Sequence, residues 1–180
     1  MPDRSFPAVL TRLWADRGRD VILRNPAVNG YRTDDLIADE LPLVAEFRPT
    51  LVTVLIGAND IVAGSSDDRY RDQIRAIHTR MRADALAARV FALPQPDWSL
   101  SRAAASFGAP AALAARIERF NAIAREEAER AGASYVDLFP LMREQMRRGM
   151  FAPDGLHPSA EAYAEWAEAL RERLAPRPAS

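Results

Sequence analysis

Cysteine is missing from all 180 residues. That removes disulfide scaffolds, thiolate metal sites and cysteine nucleophiles. Lysine is missing too, and all 24 basic residues are arginine. A Schiff-base lysine and a P-loop lysine are therefore out of reach. Histidine is scarce, with only His78 and His157, so a polyhistidine metal centre is excluded. No run approaches the ~18 apolar residues that cross a bilayer, which excludes an integral helical membrane protein. An excess of positive charge is lacking as well. The 24 basic residues meet 25 acidic ones, for a net charge of -1, and nothing forces the basic face of a nucleic-acid binder. The opening MPDRSFPAVL has no basic segment followed by an apolar one, so no signal peptide is visible and a cytoplasmic location is expected.

What is present reads as one ordinary domain over residues 1–180. Hydrophobic residues make up 48% and charged residues 27%, the balance of a globular chain. The chain opens directly into a helix. Ser5 is its expected N-cap, Pro7 fits its first turn, Val9, Leu10, Leu13 and Trp14 form its apolar face, and Gly18 stops it. Val21 to Leu23 reads as a short strand. A loop leads to a helix capped by Thr33, which Pro42 breaks or restarts. Leu51 to Ile56 is a continuous β-branched run, expected as a strand buried on both faces. A charged amphipathic helix covers 68–88, and His78 is expected on its surface. RVFAL (89–93) and SYVDL (134–138) are two more strands. Between them lie a long loop at 94–109, expected as a lid, and a helix over 110–131. A short helix over 141–148, with Arg143, Arg147 and Arg148 on a solvated face, and a terminal helix over 159–174 complete the chain. Trp14, Tyr163 and Trp166 are expected to pack the first and last helices on the sheet. Strands alternating with helices predict a three-layer α/β/α domain around a parallel sheet.

In such sheets, ligands bind beyond the carboxyl ends of the strands. Three loops there carry polar residues. Gly30, in Val-Asn-Gly, reads either as a turn glycine or as a backbone N–H open to a developing oxyanion. Asn59, in Gly57-Ala58-Asn59-Asp60 after the buried run, reads either as an Asx-turn or as an amide donor to that oxyanion. Asp154 and His157, in Pro-Asp-Gly-Leu-His-Pro, read either as turn and surface residues or as a general base with its orienting carboxylate. Pro158 keeps His157 out of the α conformation. A metallophosphoesterase would need more ligands than these.

Together, Gly30, Gly57-x-Asn59-Asp60 and Asp154-x-x-His157-Pro158 resemble the motif blocks of the SGNH hydrolases, the GDSL-type esterases and lipases. The resemblance spans nearly the whole chain. It implies a flavodoxin-like sheet of order 2-1-3-4-5 and a serine hydrolase acting on small-molecule carboxylic esters through an acyl-enzyme. It implies no metal and no organic cofactor. Within it, Asp154 orients His157, and Gly30 and Asn59 form the oxyanion hole.

One block is missing. The family's Gly-Asp-Ser, at the end of its first strand, has no counterpart. Ser5 has only four residues before it and serves as a helix cap. Ser65 and Ser66 sit on a loop that nothing rigid positions, and Ser134 opens a strand at the wrong end of the sheet. Ser99, Ser101 and Ser106 lie in the long loop. The expectation is a reading frame that begins too late, or a natural truncation, with the first strand absent between Val21–Leu23 and Leu51–Ile56. The 180 residues are then near-inactive as an esterase. The alternative is a non-catalytic binder that keeps the cleft. Upstream codons decide the late-start version, and they also bear on a hidden export signal. Acyl length, alcohol and oligomeric state are not encoded legibly.

Overall fold

The computed structural model describes residues 3–175. Three parallel strands form the sheet: β1 (Leu51–Val54), β2 (Arg89–Ala92) and β3 (Ser134–Tyr135), in the order β1-β2-β3. Val52 pairs with Val90 and Thr53 with Phe91. Because side chains alternate across a strand, Val52, Val54 and Val90 face one core cluster while Leu51 and Phe91 face another.

Helices α1 (Phe6–Ala15) and α8 (Ala160–Arg171) pack together on one face. Phe6, Leu10, Trp14, Trp166 and Leu170 fill that cluster with Phe91, as expected of the tryptophans. Helices α5 (Asp67–Asp84) and α6 (Pro110–Arg130) cover the opposite face. There Tyr70 stacks on Phe120 with ring centroids 4.0 Å apart. The α/β architecture with two helical layers is the one the alternation predicts.

Several local expectations fail, each for a physical reason. Val21–Leu23 is not a strand. It has no ladder partner among the described residues, and Ile22 is 81% exposed. Val21 nevertheless packs in the same cluster as Leu51 and Leu55. The run Leu51–Ile56 is not buried on both faces. Of β1, only Val54 is buried, because β1 is the edge of the sheet and its outer side is unpaired.

The N-terminal half shows two more departures. Ser5 stands at the N-cap of α1 but makes no capping bond; its hydroxyl is buried and unpartnered. Thr33 is the first residue of α2 (Thr33–Asp35), with Arg32 in the cap position. Pro42 restarts the helix, one of the two outcomes expected of it, and α3 runs from Leu41 to Phe47. A π-helical stretch, Leu36–Glu40, comes first, and the Leu41 N–H reaches back to the Leu36 carbonyl. Widening the ladder there lets Pro42, which has no N–H, sit in the first turn of α3 (Leu41–Phe47).

The long loop is not a free lid. Residues 93–99 are buried, and the segment winds into two short 3₁₀ turns, Trp98–Leu100 and Ala103–Phe107. Asn121 clamps Gln95 with two bonds, accepting from its N–H at 2.8 Å and donating to its carbonyl at 3.0 Å. Buried Asp97 accepts from Ser99 Oγ and from Arg143 Nε, the latter at 2.8 Å. Arg143, on α7 (Phe139–Arg147), also pairs with Glu118 at 2.7 Å, so it is an anchor rather than part of a solvated face. Trp98 packs edge-on against Phe107 inside this wall.

Candidate active site

The site begins where β1 ends. The chain leaves Ile56 and turns at Gly57 into the short helix α4 (Ala58–Val62). The Gly57 φ is +124°, and a Cβ there would lie 2.5 Å from Gln95 Nε2 and 2.6 Å from the Tyr70 hydroxyl. Only glycine fits. The Tyr70 hydroxyl donates to the Ile56 carbonyl at 2.9 Å and Gln95 Nε2 donates to the same oxygen at 3.3 Å. Burial pushes the Tyr70 phenol well above its ordinary range, so it remains a donor at every physiological pH.

This turn sets Asn59 and Asp60 against the loop that carries Gly30. Asn59 Nδ2 donates to the Tyr31 carbonyl at 3.0 Å. That uses one of its two amide N–H bonds and leaves the other for a ligand. Asp60 is buried and accepts from the Thr33 N–H at 3.0 Å and the Thr33 hydroxyl at 2.6 Å. Hydrogen bonds to a charged acceptor are worth about 1.5–3 kcal/mol each. Replacing Asp60 with Ala removes both, about 3–6 kcal/mol, and is expected to lower the melting midpoint by roughly 6–24 °C, on a scale of about 2–4 °C per kcal/mol for a chain of this size. Calorimetry checks this; a midpoint within 1 °C of the parent would refute the staple. Gly30 has φ +93° and lies in the open, with nothing within 4 Å of a Cβ placed on it. Its glycine is required by backbone conformation, not by a crowded neighbour.

Asp154 and His157 come together on their own loop. Asp154 Oδ1 accepts from the N–H groups of Leu156 at 2.9 Å and His157 at 3.0 Å. Its Oδ2 lies 2.7 Å from His157 Nδ1. The Leu156 N–H, then the His157 ring and the His157 N–H, hold the Asp154 carboxyl down at about 2. An ionised carboxylate at Nδ1 selects the tautomer that leaves Nε2 unprotonated and able to accept a proton. The loop is closed by a bridge between Phe151 and Pro158 and by the Ala152 N–H donating to the His157 carbonyl at 2.7 Å. The two side chains are half open to solvent, at 49% for His157 and 51% for Asp154.

The structure thus joins the four expected residues in two pairs. One is Asp154 with His157. The other is Asn59 with the loop of Gly30. Leu156, adjacent to His157, packs against the cluster that holds Ile56, Ala58 and Ile61, which are neighbours of Asn59. The residues that brace the first pair of loops, Thr33, Tyr70 and Gln95, carry no local signal of that role. Asp60 had one, since it stands inside the Gly-x-Asn-Asp motif.

No serine among the described residues is hydrogen-bonded to His157. Ser66 and Ser159 cap α5 and α8. Ser99 is engaged by Asp97, and Ser101 accepts from the Ala104 N–H at 3.0 Å. Ser134 opens β3, at the opposite end of the sheet from Gly57. No group of three or more His, Asp or Glu side chains suited to a metal occurs among the described residues. No helix among them is long and apolar enough to cross a membrane.

Comparison with known proteins identifies the family. The sequence profile of the GDSL-like Lipase/Acylhydrolase family matches residues 1–165. The chain is 24% identical to Esterase TesA of Pseudomonas aeruginosa over 175 residues, covering 96% of this chain and 79% of that protein. A crystal structure of TesA superposes with a TM-score of 0.76 at 26% identity, covering 96% of this chain and 88% of that one. The acetylxylan esterase Axe2 of Geobacillus stearothermophilus shares the fold, with a TM-score of 0.77 at 16% identity over 96% of this chain and 82% of that one. The chain belongs to the GDSL-like lipase/acylhydrolase family of carboxylic ester hydrolases.

Proposed function

We propose that Gly30, Asn59, Asp154 and His157 form the acyl-transfer site of a small-molecule ester hydrolase whose serine nucleophile is none of the serines described above. A serine Oγ attacks the ester carbonyl carbon. His157 Nε2 takes the hydroxyl proton and passes it to the departing alkoxide, which leaves as the alcohol. Asp154 holds the imidazole in the working tautomer and stabilises the imidazolium. The free N–H of the Asn59 amide and the Gly30 N–H donate to the oxyanion; one such donor is worth about 2.7–4 kcal/mol in the transition state. Water, deprotonated by His157, then releases the acid. No step requires a metal or an organic cofactor.

The observation that carries this reading is the 2.7 Å contact between Asp154 Oδ2 and His157 Nδ1. It is the orienting half of a triad, half exposed and with Nε2 unclaimed. The place for the third member is supported by the unpaired outer edge of β1 and by the exposure of Ile22, next to Val21, which packs in the cluster of Leu51 and Leu55. A strand inserted there would end between the Gly30 loop and Asn59.

Esterase assays test the proposal. The 180 residues alone are expected to hydrolyse p-nitrophenyl butanoate at a rate near background, and His157→Ala should leave that rate unchanged. Turnover by these residues that His157→Ala abolishes would mean that one of the described serines is the nucleophile. The second reading is a binder that keeps the cleft without turnover. The lack of a described serine bonded to His157 favours it. A serine-reactive fluorophosphonate distinguishes the two, because a binder stays unlabelled even when a strand ending in Gly-Asp-Ser precedes Met1.

A further inference from the structure

The chain contains four asparagines, Asn25, Asn29, Asn59 and Asn121. An asparagine amide is open to attack by the backbone nitrogen of the residue that follows it. Three of the four are guarded. Asn25 precedes Pro26, whose nitrogen carries no hydrogen to lose. Asn59 lies in α4, and its amide is tied to the Tyr31 carbonyl. Asn121 is buried in α6, with both ends of its amide bonded to Gln95.

Asn29 has none of these guards. It precedes Gly30, and both residues are exposed. The Tyr31 N–H donates to the Val28 carbonyl at 3.3 Å, which puts Asn29 and Gly30 at the two central positions of a β-turn. Neither the Asn29 amide nor the Gly30 N–H is hydrogen-bonded to a described residue. Gly30 has φ +93°, and a Cβ placed on it would meet nothing within 4 Å. Solvent therefore reaches its nitrogen, and no side chain shields it.

The loop of His157 provides the contrast. Asp154 is also followed by a glycine, Gly155, with φ +70°. There the Gly155 N–H is taken by the Ala152 carbonyl at 2.8 Å. Both Asp154 oxygens are engaged, and its carboxyl, held down at about 2, stays ionised. An ionised carboxylate is a poor electrophile. The pair at 154–155 is closed to ring formation, and the pair at 29–30 is open.

We propose that Asn29–Gly30 is a self-modification site, at which water converts Asn29 to aspartate and isoaspartate through a cyclic imide. The Gly30 nitrogen attacks Asn29 Cγ and a C–N bond forms. The Cγ–Nδ2 bond breaks, and Nδ2 leaves as ammonia with the proton from Gly30. Water then opens the ring at either carbonyl. Opening at Cγ restores the original backbone with an aspartate. Opening at the α carbonyl gives isoaspartate, in which the chain runs through the former side chain. The sum is amide plus water to acid plus ammonia, with nothing oxidised or reduced.

The consequence for catalysis rests on the reading of Gly30 as an oxyanion donor. The imide nitrogen carries no hydrogen, and the isoaspartyl form lengthens the backbone by one methylene beside Gly30. Either takes that N–H out of place, so the site loses a donor with age. The modification itself stands whether or not these loops hydrolyse esters.

The test incubates the folded 180 residues in mildly alkaline water enriched in heavy oxygen, followed by trypsin and mass spectrometry. Asn29 falls in the peptide from Asn25 to Arg32. It is expected to take up one heavy oxygen at least tenfold faster than Asn25, Asn59 or Asn121, with isoaspartate exceeding aspartate. Asn29→Gln should stop the conversion, and Gly30→Ala should slow it at least tenfold by shielding the nitrogen. The proposal fails if Asn29 converts no faster than Asn59 or Asn121. It fails equally if aspartate forms without isoaspartate, or if Gly30→Ala converts as fast. With a strand ending in Gly-Asp-Ser ahead of Met1, ageing should lower kcat on p-nitrophenyl butanoate in proportion to the converted fraction. Asn29→Gln should hold its rate over the same time. Undiminished turnover by converted chains would remove Gly30 from the oxyanion hole and leave the modification standing.

Discussion

With an apolar strand ending in Gly-Asp-Ser joined ahead of Met1, the chain is expected to hydrolyse p-nitrophenyl butanoate on the order of 10⁶ faster than the 180 residues alone. That is the scale of nucleophile loss in subtilisin, a serine hydrolase of another fold. The argument is geometric. β1 presents an unpaired edge, and Val21, next to the exposed Ile22, packs in the same cluster as Leu51 and Leu55. An added strand would pair with that edge and bury the apolar residues now in water, at about 25 cal/mol per Å². Its carboxyl end would bring a hydroxyl to the same end of the sheet as Asn59, whose amide spends one N–H on the Tyr31 carbonyl.

In that active form, His157→Ala should return the rate to background. Asp154→Asn should cost on the order of 10⁴, the effect of a wrong imidazole tautomer in a serine protease. The pH dependence follows from Asp154. Its carboxyl is held at about 2 in the fold against an ordinary value near 3.9. The native state therefore binds fewer protons there, and the associated stabilisation is present above about pH 4 and lost as the pH falls toward 2. Half exposure makes it small. Protonation of Asp154 should consequently leave no inflection in the rate profile above about pH 4. A lengthened chain whose β1 amides become protected from exchange, yet which hydrolyses no ester, would overturn the catalytic assignment while leaving the strand position intact.

Gly57→Ala is expected to damage the fold on the same scale as the loss of Asp60. Two independent penalties meet at that atom. The φ of +124° lies where a side chain is strained, at a cost of about 1–3 kcal/mol. The new Cβ would also press on Gln95 Nε2 and the Tyr70 hydroxyl at 2.5 and 2.6 Å, and overpacking adds about 1–3 kcal/mol. Neither neighbour yields freely, because both are bonded to the Ile56 carbonyl. A sum of roughly 2–6 kcal/mol corresponds to a fall of about 4–24 °C in the melting midpoint. Gly30→Ala provides the comparison. It carries the backbone strain but meets open space, so its midpoint should fall markedly less. Equal melting of the two variants would show that the Tyr70–Gln95 wall is not rigid.

Some of this was legible in the residues and some was not. The long helices fall where periodicity puts them, and Ser66 and Ser159 each bond the third N–H of the helix they precede; for Ser66 this overturns the reading of a loop serine that nothing rigid positions. Asp154 and His157 were also readable, since a Pro-Asp-Gly turn and a following proline bring residues three apart together through local geometry alone. Val21–Leu23 misled for the converse reason. Three apolar β-formers become a strand only when a neighbour supplies the ladder, and β1 does not reach them. His78 misled because flanking arginines on α5 suggest solvent, while the face it occupies is decided by α6 and β2. The loop at 94–109 looked like a lid because proline, serine and glycine mark irregular backbone. Asn121 and Arg143, 26 and 46 residues away from the groups they hold, are what fix it.

By itself the sequence determined the layered α/β class, the two motif loops and the absence of cysteine and lysine chemistry, because composition and short-range spacing set those directly. Only the tertiary structure decided that β1 is an open edge, that Asp60 fastens Thr33 beneath the Gly30 loop, and that the His78 imidazole is buried. Those depend on contacts between segments tens of residues apart, and burial and hydrogen-bond partners exist only once the chain has closed on itself.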